Sequence, residues 1–248
     1  VESLVIKLSG HLLFTDLNAS KLKKYADVIK KLAHRKFRVA VVVGGGRKAR
    51  EYIKVAKELG ASNFEMDLLG IKMTQVNATL FASALGNLAQ TPIPQTLDEI
   101  LRYVQHYTDK VIVAGGLVPG QSTMAVAALL AEAMRAKLMI NATDVEGIYT
   151  ADPKKDPNAK LLKKIAVKEL IEMLRKMPAT AGTYELFDLT SLKIIERSKM
   201  KVRVIDGKDE QNILRAALGE EIGTLIVPNT SETNTLTEAL TQQPKSPT

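Results

Sequence analysis

Apolar positions along this chain fall into two alternating patterns. Short apolar runs predict strands over residues 4–8, 39–43, 111–114, 138–142, 202–205 and 224–227. Several of these, VAVVV and VIVA among them, are apolar at every position, as strands covered by helices on both faces should be. Between them the spacing changes to that of amphipathic helices: Leu22, Ala26, Ile29 and Ala33, then Ala49, Ile53, Ala56 and Leu59. Further helices are expected over 67–90, 97–107, 123–136, 167–176, 189–199 and 209–218. Strand–helix alternation of this kind predicts an α/β fold with a mainly parallel sheet between two helix layers. No internal repeat is visible. Residues 229–248, NTSETNTLTEALTQQPKSPT, break the pattern after the strand stop LIVPN and are expected to be a flexible tail outside the fold.

Composition narrows the classes. The 248 residues are 46% hydrophobic, enough for one large domain or two lobes. No apolar run approaches the roughly 18–20 residues of a membrane helix. The opening VESLVIKLSG has no basic segment ahead of its apolar run, unlike a secretory signal, so a cytoplasmic protein is expected. The absence of cysteine excludes disulfides, zinc–cysteine sites and thiol nucleophiles. Three scattered histidines argue against a histidine metal cluster. His34 and His106 lie in polar, helix-like stretches and read as surface residues. His11 follows a glycine near the end of the first strand and is a candidate for ligand contact. A net charge of +8 admits nucleic acid as a partner. Its lysines, however, are spread over runs such as SKLKKYADVIKKLAHRK and KLLKKIAVKEL, which read as solvated helix faces. With 4% aromatic residues and no stacking platform, nucleic acid is not the expected partner. Phosphate-bearing small molecules account for the charge equally well.

In sheets of this class ligands bind beyond the carboxyl ends of strands. Three predicted strand ends combine glycine with a cation or hydroxyl: KLSG, GGGRKAR and GGLVPGQST. Glycine lets backbone N–H groups approach an oxyanion, and the following helix N-terminus adds donors. Three consecutive glycines exceed what a tight turn requires, so GGGRKAR is read as a phosphate cradle. Arg50, one helical turn beyond Gly46, is placed to reach back over it. Ser122 and Thr123 serve equally as caps for the apolar helix that follows them. Neither GxxxxGK[ST] nor GxGxxG is present. The segment NATDVEGIYTADPKKDP, at 141–157, brings hydroxyl, carboxylate, glycine and tyrosine into one loop. There Tyr149 could lie against an adenine and Asp152 could accept from a ribose hydroxyl. Asp-Pro turns explain only part of it.

Taken in order, VIKLSG, VVVGGGRKAREYIKVAKELG, MDLLGIKMTQVNA, VAGGLVPGQSTMAVAALLAEA, ATDVEGIYTADPKKDPNAKL, AGTYELFD, LKIIERSKMKVRVIDG and GTLIVP resemble the amino acid kinase superfamily, and within it the archaeal type of uridylate (UMP) kinase. The resemblance covers about residues 3–228. It implies a three-layer α/β/α sandwich, with an acceptor-binding lobe over about 1–136 and an ATP-binding lobe over about 137–228. The implied reaction carries the γ-phosphoryl of ATP to UMP, in pyrimidine nucleotide biosynthesis.

The same resemblance implies roles for individual residues. Gly45 and Asp67 would hold UMP. The loop of Gly116, Leu117, Val118, Pro119, Gly120, Gln121, Ser122 and Thr123 would surround it. Gly46 and Arg50 would sit where the two nucleotides' phosphates meet. Ser9 and Gly10 would line the ATP phosphates, and Thr143, Tyr149 and Asp152 would hold its nucleoside. Lys7 and Lys193 are the expected catalytic cations. Many superfamily members carry an aspartate where this chain has Met124, and Asp144 is the candidate to replace it in organising the lysines. Magnesium is expected to arrive with ATP, with no permanent protein-held metal. The family also implies a homo-oligomer, a hexamer built from dimers, with the long helix around GIKMTQVNATLFASALGNLA as a subunit interface. Two alternatives stay open. Isopentenyl phosphate kinase shares the fold but uses a histidine after the glycine-rich turn, where this chain has Arg47 and Lys48. A non-catalytic nucleotide sensor has no need of both Lys7 and Lys193.

Overall fold

The computed structural model describes residues 1–151, 153, 156–176 and 186–229. The expected tail and Asp152 fall outside the described residues, Asn229 excepted. Eight strands form one sheet: β1 (Ser3–Leu8), β2 (Arg38–Val43), β3 (Ala89–Gln90), β4 (Val111–Ala114), β5 (Leu138–Thr143), β6 (Lys164–Ala166), β7 (Lys201–Asp206) and β8 (Thr224–Val227). The helices among the described residues are α1 (Gly10–Leu13), α2 (Ala19–His34), α3 (Gly46–Glu58), α4 (Asn63–Leu85), α5 (Leu97–His106), α6 (Thr123–Ala133), α7 (Val167–Lys176), α8 (Leu189–Ser198) and α9 (Gln211–Ala217).

The sheet order is β3-β4-β2-β1-β5-β7-β8-β6. Its first six strands run parallel, while β8 is antiparallel to β7 and carries β6 parallel to itself. Side-chain alternation divides the sheet between two cores. Val5, Val42, Ile112, Met139 and Val204 pack with α5, α6, α7 and α8 on one face. Ile6, Val41, Val113, Ile140 and Ile205 pack with α1, α2, α4 and α9 on the other. This is the expected three-layer sandwich.

Helix boundaries follow local chemistry. Ser62 and Glu65 form a reciprocal capping box that starts α4 four residues earlier than its apolar pattern suggests, and Gly86 at φ 63° ends it. Hence the expected helix over 67–90 stops short, and Ala89–Gln90 pairs with β4 instead. A second departure lies in KLLKKIAVKEL. Lys164–Ala166 is the edge strand β6 rather than a solvated helix face. Both strands are too short for periodicity to reveal, and pairing to a neighbour decides them.

Candidate active site

The carboxyl ends of β1, β2, β4 and β5 open into one cavity of about 730 Å³. Lys7 stands in its wall. On the sheet it is in register with Val42 of β2 and Asn141 of β5, so it faces the α6 layer, where Met124 is buried. Its side chain is 9% exposed. Burial pulls its pKa from 10.5 down to about 8, opposed by the charge of Asp144 at the end of the neighbouring strand. Asn141 is wholly buried, and neither atom of its amide has a hydrogen-bond partner among the described residues.

Two glycine turns meet beside Lys7. A Cβ on Gly10 would come within 2.1 Å of the Gly46 nitrogen, and Gly46 itself has φ +67°. Only glycine at both positions lets the two turns touch. The turn after β2 leads directly into α3, whose first residue is Gly46. Of the three cations in GGGRKAR, Arg50 lines the cavity. Arg47 and Lys48 turn outward and bond Glu51 at 2.9 and 2.8 Å.

The loop after β4 forms the next wall. Ser122 accepts from the Met124 and Ala125 nitrogens at 3.1 Å and so caps α6. Its hydroxyl also donates to Asp188, which caps α8. Ser122 thus fulfils the capping role while still lining the cavity. Asp67, on α4, accepts from the Gly120 nitrogen at 2.7 Å and ties this loop across the opening. Opposite, Thr143 donates to Asp144 at 3.2 Å. Tyr149 donates to Glu146 at 2.7 Å, and this bond pushes the tyrosine pKa up. Thr224, buried on β8, accepts from the Ile148 nitrogen at 2.8 Å and donates to the Leu162 carbonyl at 2.6 Å, so it braces that loop.

Most residues expected from sequence gather here: Lys7, Ser9, Gly10, Gly45, Gly46, Arg50, Asp67, Gly116, Val118, Gln121, Ser122, Thr123, Thr143, Asp144 and Tyr149 all line the cavity. Leu117, Pro119 and Gly120 belong to the same loop without lining it. Lys193 is exposed on α8 and does not line it either. Asp152 lies outside the described residues. His11 does line the cavity.

Three α4 residues outside the set expected from sequence hold the turns. Thr74 accepts from the Gly116 nitrogen at 2.6 Å, Gln75 donates to the Gly116 carbonyl at 3.1 Å, and Asn77 donates to the carbonyls of Gly44 and Gly45 at 2.9 and 3.1 Å. All three are buried. Their signal was a polar cluster, TQVN, in the middle of an otherwise apolar helix run.

Comparison with known proteins agrees with this geometry. The model of the amino acid kinase family matches residues 2–206. Uridylate kinase of Methanobrevibacter smithii is 42% identical over 224 residues, 90% of this chain and 98% of that protein. Uridylate kinase of Methanothermobacter thermautotrophicus is 43% identical over 227 residues, 91% and 99% of the two chains. The crystal structure of uridylate kinase from Archaeoglobus fulgidus superposes with a TM-score of 0.80 at 42% identity, covering 90% of this chain and 99% of that one. UMP kinase from Bacillus anthracis, at 22% identity and a TM-score of 0.76, shares the fold. By its matched length, its sheet and the glycine turns at its strand ends, this chain belongs to the amino acid kinase family.

Proposed function

We propose that this chain is a uridylate kinase that transfers the γ-phosphoryl group of ATP to UMP, giving UDP and ADP. The observation that carries the reading is the continuity of one cavity. It runs from the loop after β4, past the touching glycine turns and Lys7, to the loop after β5. Its volume of about 730 Å³ falls in the range of pockets that enclose small-molecule ligands. Identity of 42–43% to archaeal uridylate kinases over nine-tenths of the chain supports the same substrates.

Little covalent work falls to the protein in such a transfer. The attacking UMP phosphate oxygen is anionic at neutral pH, so no general base is needed. Catalysis consists of in-line positioning and neutralisation of charge on the transferred group. The acceptor would lie along residues 116–123 and Asp67, and the ATP nucleoside along Thr143 and Tyr149. The phosphates would meet over Gly10, Gly45 and Gly46, where Lys7 and Arg50 supply cations. Asp144, whose charge already acts on Lys7, would take the organising role of the aspartate absent at position 124. Lys193 would add a second lysine from α8, whose N-terminus is tied to the acceptor loop through Ser122 and Asp188. Among the described residues no three acidic or histidine side chains gather as a metal nest. Asp144 and Asp67 stand as separate carboxylates in the wall, and magnesium would enter on the ATP oxygens, as part of the substrate. No helix among the described residues is long and apolar enough to cross a membrane, and a cytoplasmic setting suits both substrates. The assembly would be a hexamer built from dimers, using the exposed apolar face of α4.

The test is ADP release with UMP, CMP and isopentenyl phosphate as acceptors. UMP should give turnover far above the ATP-only blank and above the other two. No UMP turnover, or preference for isopentenyl phosphate, would overturn the assignment.

A further inference from the structure

Asn77 occupies an unusual place for a polar side chain. It sits on the buried face of α4, 5% exposed, with Ala78 and Phe81 as buried neighbours. It does not line the cavity. Its amide nitrogen nevertheless gives hydrogen bonds to two successive carbonyls, of Gly44 at 2.9 Å and of Gly45 at 3.1 Å. Two donors on one planar group therefore fix two consecutive peptide planes.

The consequence follows from peptide geometry. In a trans peptide the carbonyl of one residue and the N–H of the next point in opposite directions within one plane. Holding the Gly44 and Gly45 carbonyls toward α4 turns the N–H groups of Gly45 and Gly46 away from it. Both glycines line the cavity. Neither N–H has a protein acceptor among the described residues, whereas the Gly44 N–H is spent on Leu8 at 3.0 Å. Glycine alone would leave those planes free to rotate. From this geometry we infer that Asn77 is a positioning residue for phosphoryl transfer: through two carbonyls it aims the Gly45 and Gly46 N–H groups at the phosphate groups in the cavity. Earlier on the same helix Thr74 accepts from the Gly116 N–H and Gln75 donates to the Gly116 carbonyl, so α4 holds both cavity-side turns.

The inference rests on the kinase reading, but the two fail separately. Loss of the reading shows as an inactive wild-type protein, and loss of the inference shows only among variants of an active one. Asn77→Ser keeps one hydroxyl donor, and Asn77→Ala keeps none. Turnover should fall in the order wild type, Asn77→Ser, Asn77→Ala. The alanine variant should lose about 10²-fold in kcat, the scale of a misplaced catalytic contact. KM for UMP should move much less. Asn77→Asp adds a readout that packing alone does not move. A carboxylate cannot donate, whereas its protonated form donates once, so this variant's kcat relative to wild type should rise as pH is lowered. The charged and titratable groups of the cavity wall that accompany this change are Lys7, His11, Arg50, Asp67, Asp144 and Tyr149, and they are common to both proteins. Equal kcat across the series, a kcat ratio for Asn77→Asp that does not vary with pH, or variants that cannot be purified folded would overturn the proposal and leave Asn77 a core residue only.

Discussion

Lys7 holds its charge at a cost, and the cost fixes how pH should act. Its pKa in the folded protein is about 8, against 10.5 when solvated. Below about pH 8 the folded protein carries a buried ammonium that burial disfavours. Between pH 8 and 10.5 the unfolded chain binds the extra proton, so stability contributed through this residue rises with pH over that window. Under the proposed mechanism activity should move the other way, because only the charged form would neutralise phosphate. In the free enzyme kcat/KM should therefore decline as pH rises through about 8. Asp144 opposes the shift, so Asp144→Asn should lower turnover and move that decline to lower pH. Unchanged turnover and an unchanged profile would remove Asp144 from the mechanism. At this scale the sequence made legible residues whose own side chains line the cavity: lysine at a strand end, arginine past three glycines. Asn77 and Thr224 were not legible, because their work is done on backbone atoms contributed from far along the chain.

Among the elements, the contact between the turns after β1 and β2 is the tightest constraint at the site. Gly10→Ala would set a methyl 2.1 Å from the Gly46 nitrogen and 2.8 Å from the Gly44 carbonyl carbon. Both obstacles are backbone, so one turn must move. Turnover should drop about 10²-fold or more in a folded protein. Gly60→Ala is the control, since Gly60 at φ +83° has open space around it. It should cost stability and spare turnover. Wild-type kcat in folded Gly10→Ala, measured beside a melting curve, would show that the turns need not touch. Element type was largely readable here because long buried strands and amphipathic helices announce their periods. The short edge strands β3 and β6 were not, since their pairing partners, β4 and β8, lie outside any local window.

On the scale of the whole molecule, α4 is buried on one side and apolar on the other. Leu69, Val76 and Leu80, spaced to share one face, are 37%, 59% and 38% exposed. The proposed assembly would use this face. Val76→Glu should reduce the molar mass measured by light scattering without lowering helix content. An unchanged mass would remove this face from the proposed assembly. The fold class was legible from alternation alone, but not the sheet order, because nothing local says that the strands after residue 137 all add on the far side of β1. That order has its own consequence. β1 to β4 occupy one end of the sheet and β5 to β8 the other, and the chain passes between them once, near residues 134–137. Each half therefore builds its own wall of the cavity from contiguous sequence. A chimera joined at that crossing would exchange the wall of Thr143, Asp144 and Tyr149 and keep the wall of the glycine turns and the loop after β4. On the proposed placement of the substrates, acceptor preference should follow the first half, with Lys7, and preference for the donor's nucleoside the second.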